Sequence, residues 1–245
     1  MEKVTATEIK NSKDKKQKIS VLTAYDYPIA KILDEAGIDI VLVGDSLGNV
    51  ALGYKRTRWV TMSDMIRHTI AVAKGVKHAL IITDMPFASM RNVRQAIKNA
   101  KALMKVGAEG VKVEGIKELK AIKMIIKHGI PVMGHLGCLP QTARKFRIQH
   151  SRKIVKQAKL LEKAGVFAIV LELVDPELAR EITRAIKVPT IGIGSGPNCD
   201  GQVLVTYDLL GLSPKAPKHA KKYIDLSGLI KKAVQKFITN LKKTN

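Results

Sequence analysis

The segment Ile40–Gly48, IVLVGDSLG, constrains this chain more than any other. Four β-branched or aliphatic residues in a row, Ile40 to Val43, stop at Gly44 and are followed by Asp45 and Ser46. A run that is apolar at every position reads as a strand covered on both faces, hence parallel and internal. The same pattern recurs. Ala79–Ile82 runs into Asp84, Val111–Val113 into Glu114, Pro131–Met133 into His135, and Ala168–Leu171 into Glu172. Each hydrophobic strand delivers a polar group at its carboxyl end, the edge at which parallel α/β folds bind ligands.

Between these strands lie helical signals. Pro28 suits the first turn of a helix that stops at Gly37. Thr61 and Asp64 have the spacing of a capping box, and Met62, Met65, Ile66, Thr69, Ile70 and Ala73 behind them form a helical stripe. Further strands are expected at Ile19–Ala24, Pro189–Ile193 and Gln202–Tyr207, with strand five at Ile130–Gly134. Leu226, Leu229, Ile230, Ala233, Val234, Phe237, Ile238 and Leu241 step by three and four along an amphipathic C-terminal helix, expected to pack on the barrel or on another subunit. Eight strands alternating with helices over 245 residues predict a single α/β domain, a (β/α)8 TIM barrel. Residues 1–18 are expected to be a basic arm or a short helix.

The formal charge is +22, from 43 basic and 21 acidic residues. Such an excess attracts anions. The lysines recur at helical spacing, as in Lys98, Lys101 and Lys105 or Lys117, Lys120, Lys123 and Lys127, without interleaved aromatics or a nucleic-acid recognition motif. That pattern fits solvated helix faces better than a nucleic-acid groove. No apolar stretch is long enough to span a bilayer and the start has no secretory pattern, so a cytoplasmic protein is expected. Cys138 and Cys199 match no zinc spacing and read as two reduced thiols.

In a barrel, Asp45, Asp84, Glu114, His135, Glu172 and Ser195 would converge over one mouth. Clustered carboxylates repel one another and call for a cation, and oxygen ligands suit a hard ion such as Mg²⁺. Each acid taken singly could instead be a helix cap or an ion-pair partner. Lys112 and Glu114 are two apart on one strand and face the same way, either toward a substrate carboxylate or as a structural ion pair. Gly192, Gly194 and Gly196 allow close backbone approach to a phosphate, or form a tight turn.

The blocks TAYDYPIAKILDEAGIDIVLVGDSLGN, ITDMPF, VKVEG, PVMGHLG, LEL with DPELA, and IGIGSGPNCDGQVLV, in this order, resemble ketopantoate hydroxymethyltransferase, from about Ile19 to Leu241. That family is grouped with the phosphoenolpyruvate mutase and isocitrate lyase barrels. The resemblance implies a Mg²⁺ site at Asp45, Asp84 and Glu114. It implies oxo-acid contacts from Asp45, Ser46, Asp84 and Lys112, with His135 helping to hold the substrate oxygens, and Glu172 as general base. The implied reaction is aldol-type transfer of a hydroxymethyl group from 5,10-methylenetetrahydrofolate to 3-methyl-2-oxobutanoate through a Mg²⁺-stabilised enolate. The product is 2-dehydropantoate, on the way to pantothenate and coenzyme A. It also implies a homo-oligomer, a decamer in the family, with no nucleic-acid or membrane partner.

Two segments depart from the family pattern. The family's Gly-Gly-Tyr-x-Val-Gln-Gly loop reads ARKFRIQHSRK here, and its Leu-Pro-Val-Thr reads Arg58-Trp59-Val60-Thr61. Arg144, Lys145, Arg147 and Arg152 in the first of these suit a polyanionic donor, such as a polyglutamylated or modified pterin. The alternatives are another 2-oxo-acid carbon–carbon lyase or mutase on the same barrel, or a degenerate barrel serving as a basic scaffold or RNA binder.

Overall fold

The computed structural model describes residues 2–213, 216–217 and 220–243. Met1, Pro214, Lys215, Lys218, His219, Thr244 and Asn245 lie outside the described residues. The chain divides into two compact units, residues 1–203 and 204–245.

In the first unit the elements run α1 (Ala6–Asn11), β1 (Ile19–Thr23), α2 (Tyr27–Glu35), β2 (Ile40–Val43), α3 (Leu47–Val50) and α4 (Met62–Gly75), with a 3₁₀ turn at Thr57–Trp59. They continue with β3 (Leu80–Asp84), α5 (Val93–Lys105), β4 (Gly110–Glu114), α6 (Leu119–Lys127), β5 (Val132–Gly137) and α7 (Lys153–Ala164). Then come β6 (Ala168–Glu172), α8 (Pro176–Ala185), β7 (Thr190–Ile193) and β8 (Gly201–Leu204). The strands close in sequence order into an eight-stranded barrel, and the paired strands from β1 to β8 are parallel. The predicted (β/α)8 architecture is what forms.

Strand alternation sorts the barrel interior into two storeys. Ile40 and Leu42, Leu80 and Ile82, Met133, and Ala168 and Val170 belong to one buried cluster toward the amino ends of the strands. Continuing each column by two residues reaches Asp84 on β3 and Glu172 on β6, and His135 follows Met133 on β5. The apolar storey fills the barrel, and the next storey carries charge. Ile9 of α1 joins the apolar cluster and Val4 packs against it. Residues 2–18 are therefore no loose arm. Thr5 and Glu8 form a capping box, Lys3 binds Ala79 O and Glu109, and Lys13 binds the carbonyl of Ile186 at 2.9 Å.

The capping box of Thr61 and Asp64 forms as expected, with Met65, Thr69 and Val72 as the buried stripe; Ile70 is exposed. Strand five runs three residues past its expected end, because its pairing with β6 continues through Gly137 opposite Glu172. The loop expected from Gly48 to Val60 contains part of α3 and the 3₁₀ turn. Lys98, Lys101, Lys105, Lys117, Lys120, Lys123 and Lys127 are exposed, as their spacing suggests. Both cysteines are free and buried.

In the second unit, the residues expected to extend strand eight to Tyr207 turn instead into a short helix, α9 (Thr206–Leu209). The amphipathic C-terminal helix is α10 (Leu226–Lys243), and none of its residues is buried. The expectation has its apolar face covered; in the single chain Leu229, Ile230, Val234, Phe237, Ile238 and Leu241 are all exposed. Among the described residues no helix is long and apolar enough to cross a membrane.

Candidate active site

Strand register brings the predicted polar groups together. Asp84 is the register partner of Lys112, Glu114 of His135, and Gly137 of Glu172. Lys112 Nζ lies 2.9 Å from Asp84 Oδ1, an ion pair with both side chains under a tenth exposed. Lys112 also reaches His135 Nδ1 at 3.4 Å. Across the imidazole, Nδ1 is 3.6 Å from Glu114 Oε1 and Nε2 is 3.3 Å from Glu172 Oε2. Both are contact distances rather than aligned hydrogen bonds, since Nε2 has no hydrogen-bond partner. Asp45 follows β2 and donates its backbone N–H to Asp84 Oδ2 at 2.9 Å.

Ser46 opens α3 without capping it; its hydroxyl meets Tyr25 Oη at 2.8 Å. Ser195 does not join the cluster. Its buried hydroxyl donates to Leu171 O at 2.7 Å and accepts from Val174 N–H at 2.9 Å, which ties the end of β7 to β6. Gly194 and Gly196 have positive φ and form the turn in which Ser195 sits.

One residue of this site carries no sequence signal. Gln141 donates from Nε2 to Asp45 Oδ2 at 2.7 Å and to Met85 O at 3.0 Å, and its backbone N–H reaches Glu114 Oε2 at 3.2 Å. A neutral amide in a loop follows no periodicity.

The electrostatics follow from packing three acids, Asp45, Asp84 and Glu114, around one lysine. Burial, then the Asp84 charge, pushes the Asp45 carboxyl up to about 7. Burial, then Asp45, raises Glu114 well above the usual carboxylate range. Burial alone would lower Lys112, but Asp84, Glu114 and Asp45 outweigh it and hold the ammonium charged. Burial, then Lys112, lowers His135, so the ring is neutral near pH 7.

Among the described residues no group of three or more His, Cys, Asp or Glu side chains is placed to hold a metal ion together. The acids nonetheless fit a hard ion that keeps waters. Asp84 and Glu114 each have one oxygen held by a backbone N–H; Asp84 Oδ1 faces the Lys112 ammonium at 2.9 Å, and Glu114 Oε1 is buried with no hydrogen-bond partner. Mg²⁺ characteristically takes one or two carboxylates and completes its shell with water and substrate oxygens.

Residues 3–245 match the profile of ketopantoate hydroxymethyltransferase. The chain belongs to the ketopantoate hydroxymethyltransferase family. A 3-methyl-2-oxobutanoate hydroxymethyltransferase of Ignicoccus hospitalis is 50% identical over 97% of this chain and 94% of its own length. One from Sulfurisphaera tokodaii is 47% identical over 99% and 95%. In fold, the chain superposes on a phosphoenolpyruvate phosphomutase from Streptomyces platensis with a TM-score of 0.70 at 12% identity, covering 98% of this chain and 88% of that one. A phosphonopyruvate hydrolase solved with oxalate and Mg²⁺ gives 0.64 at 15% identity, covering 98% and 88%.

Proposed function

We propose that this chain transfers a hydroxymethyl group from 5,10-methylenetetrahydrofolate to 3-methyl-2-oxobutanoate, giving 2-dehydropantoate for pantothenate and coenzyme A synthesis. Besides family membership, the observation that carries the reading is the relay Asp84–Lys112–His135–Glu172 at the carboxyl ends of four consecutive strands. It sets one fixed cation and one neutral imidazole between carboxylates.

Asp45, Asp84 and Glu114 would hold Mg²⁺, which when bound supplies Lewis-acid stabilisation of negative charge on the 2-oxo oxygen. Lys112, held charged by its carboxylate neighbours, would pair with the substrate carboxylate, and Ser46 would hydrogen-bond it. Glu172 would remove the proton from C3. The resulting enolate carbon would form a bond to the methylene carbon of the donor as one of that carbon's two C–N bonds breaks, and water would then replace the second folate nitrogen, leaving a hydroxymethyl group on C3 and releasing tetrahydrofolate. His135, neutral and in contact with Glu172, would hold the carboxylate toward C3 and orient substrate oxygens. Lys112 has only donors, so its approach to Nδ1 makes that nitrogen the acceptor and leaves the ring proton on Nε2, facing Glu172.

The donor reading is supported at the rim. Arg56, two residues before the segment Arg58–Thr61, donates to Ala143 O at 3.4 Å at the start of the other departing segment, and Trp59 and Phe146, one in each segment, are exposed. The family reading also carries a cytoplasmic homo-oligomer, checked by light scattering. The deciding experiment incubates the protein with 3-methyl-2-oxobutanoate, Mg²⁺ and D₂O without donor. Loss of the C3 proton signal is expected, and 2-dehydropantoate should appear once 5,10-methylenetetrahydrofolate is added. A C3 proton that stays unexchanged rules out enolate formation and with it this function.

A further inference from the structure

Gln141 sits in a tight turn, Leu139–Ala143, in which Ala143 N–H donates to Leu139 O at 2.8 Å. Its side chain is turned inward and the residue is 9% exposed. Both side-chain N–H groups are committed, to Asp45 Oδ2 and to Met85 O, and the backbone N–H is committed to Glu114 Oε2. All three partners are acceptors, so the amide nitrogen and not its oxygen must face Asp45. One residue therefore holds two acids that come from different strands. It also lies in the segment that leaves β5 and is stitched back to β6, where Cys138 N–H donates to Glu172 O at 2.8 Å.

We propose that Gln141 is a positioning residue that sets Asp45 and Glu114 as a pair and couples the placement of residues 138–149 to the acid cluster; this rests on the reading of those acids as cation ligands. The chemistry favours a glutamine here. A lysine or arginine could donate to Asp45 as well, but it would neutralise the acid and compete with a divalent ion. The carboxamide holds Asp45 by one oxygen and the backbone N–H holds Glu114 by one oxygen, and neither donor brings a charge into the cluster. The coupling runs both ways. A cation that fixes Asp45 strengthens the anchor of the segment, and a loosened segment lets Asp45 wander.

The test uses the full chain and two variants. Gln141→Met removes both side-chain donors at similar volume and keeps the backbone bond to Glu114. Gln141→Asn keeps the amide but shortens its reach by one carbon. Mg²⁺ alone, titrated calorimetrically without substrates, should bind about tenfold or more weakly to Gln141→Met, with Gln141→Asn intermediate. In hydrogen exchange, amides of residues 138–149 should exchange faster in Gln141→Met, and adding Mg²⁺ should slow them in wild type but not in the variant. Amides of β2 and β4 at the amino ends should stay as protected as in wild type, which separates positioning from general loosening. Mg²⁺ affinity and segment exchange both within twofold of wild type would overturn the proposal, as would loosening spread evenly over the barrel. Wild type that binds no Mg²⁺ would overturn the metal reading itself, a different result visible before any variant is made.

Discussion

His135 Nε2 stands 3.3 Å from Glu172 Oε2, and the two residues come from adjacent strands, β5 and β6. The glutamate side chain is 13% exposed and the histidine 3%, so the acid faces the open end while the imidazole backs it. In Glu172→Gln the amide keeps the shape and loses the base. We expect C3 proton exchange and overall transfer to fall by about 10²–10⁴-fold, with oxo-acid affinity little changed. NMR exchange rates and binding measured on the same variant check this; transfer above a tenth of wild type would move the base elsewhere.

The raised Asp45 carboxyl makes cation binding pH-dependent. Its folded value near 7 lies above the ordinary 3.8, so the folded protein holds an extra proton across that window. In metal-free protein this group therefore costs stability progressively as pH rises from about 4 to 7. A bound cation removes that cost by favouring the ionised form. The rise in melting temperature caused by Mg²⁺ should grow between pH 5 and 8, and calorimetry in buffers of different ionisation enthalpy should detect proton release on binding. His135 acts in the opposite sense. Its lowered folded value costs stability as pH falls below the ordinary 6.5, with or without the cation. A Mg²⁺ effect that is flat with pH would remove Asp45 from the cation site.

Lys112 is a cation that Asp84, Glu114 and Asp45 share in the inner cluster. Lys112→Met leaves Asp84 buried without its ion-pair partner. Breaking such a pair from one side costs about 3–5 kcal/mol, and urea unfolding should show a loss of that size. Removing the other partner as well, in Lys112→Met with Asp84→Asn, should recover part of it, since the two effects are coupled. Additive losses would mean that Lys112 is neutralised elsewhere.

What the sequence made legible follows a physical divide. Ile40–Val43 forms a strand because burial on both faces leaves an unbroken apolar run, Gly110–Glu114 forms one around Val111 and Val113, and Thr61 with Asp64 caps a helix because that spacing has one geometry. The acids at the strand ends were readable because the pleat alternates and the barrel forces the ends to meet. Gln141 was not, since its role depends on a loop path that no periodicity encodes. Ser195 resembled its neighbours in position, but its hydroxyl is consumed by the backbone of β6. Residues 205–207 look like a strand continuation locally, yet the chain turns at Thr206 into α9.

Gly137 links the backbone of β5 to the placement of Glu172. Its φ is +99°, in the region that side chains avoid, and a Cβ there would lie 2.1 Å from Glu172 O and 2.7 Å from Val174 Cγ2. The first of these is backbone, so no rotamer change relieves it. Gly137→Ala must move the end of β6 or unpair it from β5, where Gly137 is the register partner of Glu172. The backbone conformation alone costs about 1–3 kcal/mol, and the clash adds to it. We expect a clear fall in the urea midpoint and at least tenfold slower C3 proton exchange, because a 1 Å displacement of a catalytic group is worth about 10²-fold. The decisive comparison is Gly129→Ala, where φ is +77° but a Cβ meets nothing within 4 Å. That variant should lose stability through strain alone and keep its exchange rate. Equal losses of exchange in the two variants would mean that general destabilisation, and not the position of Glu172, governs the reaction.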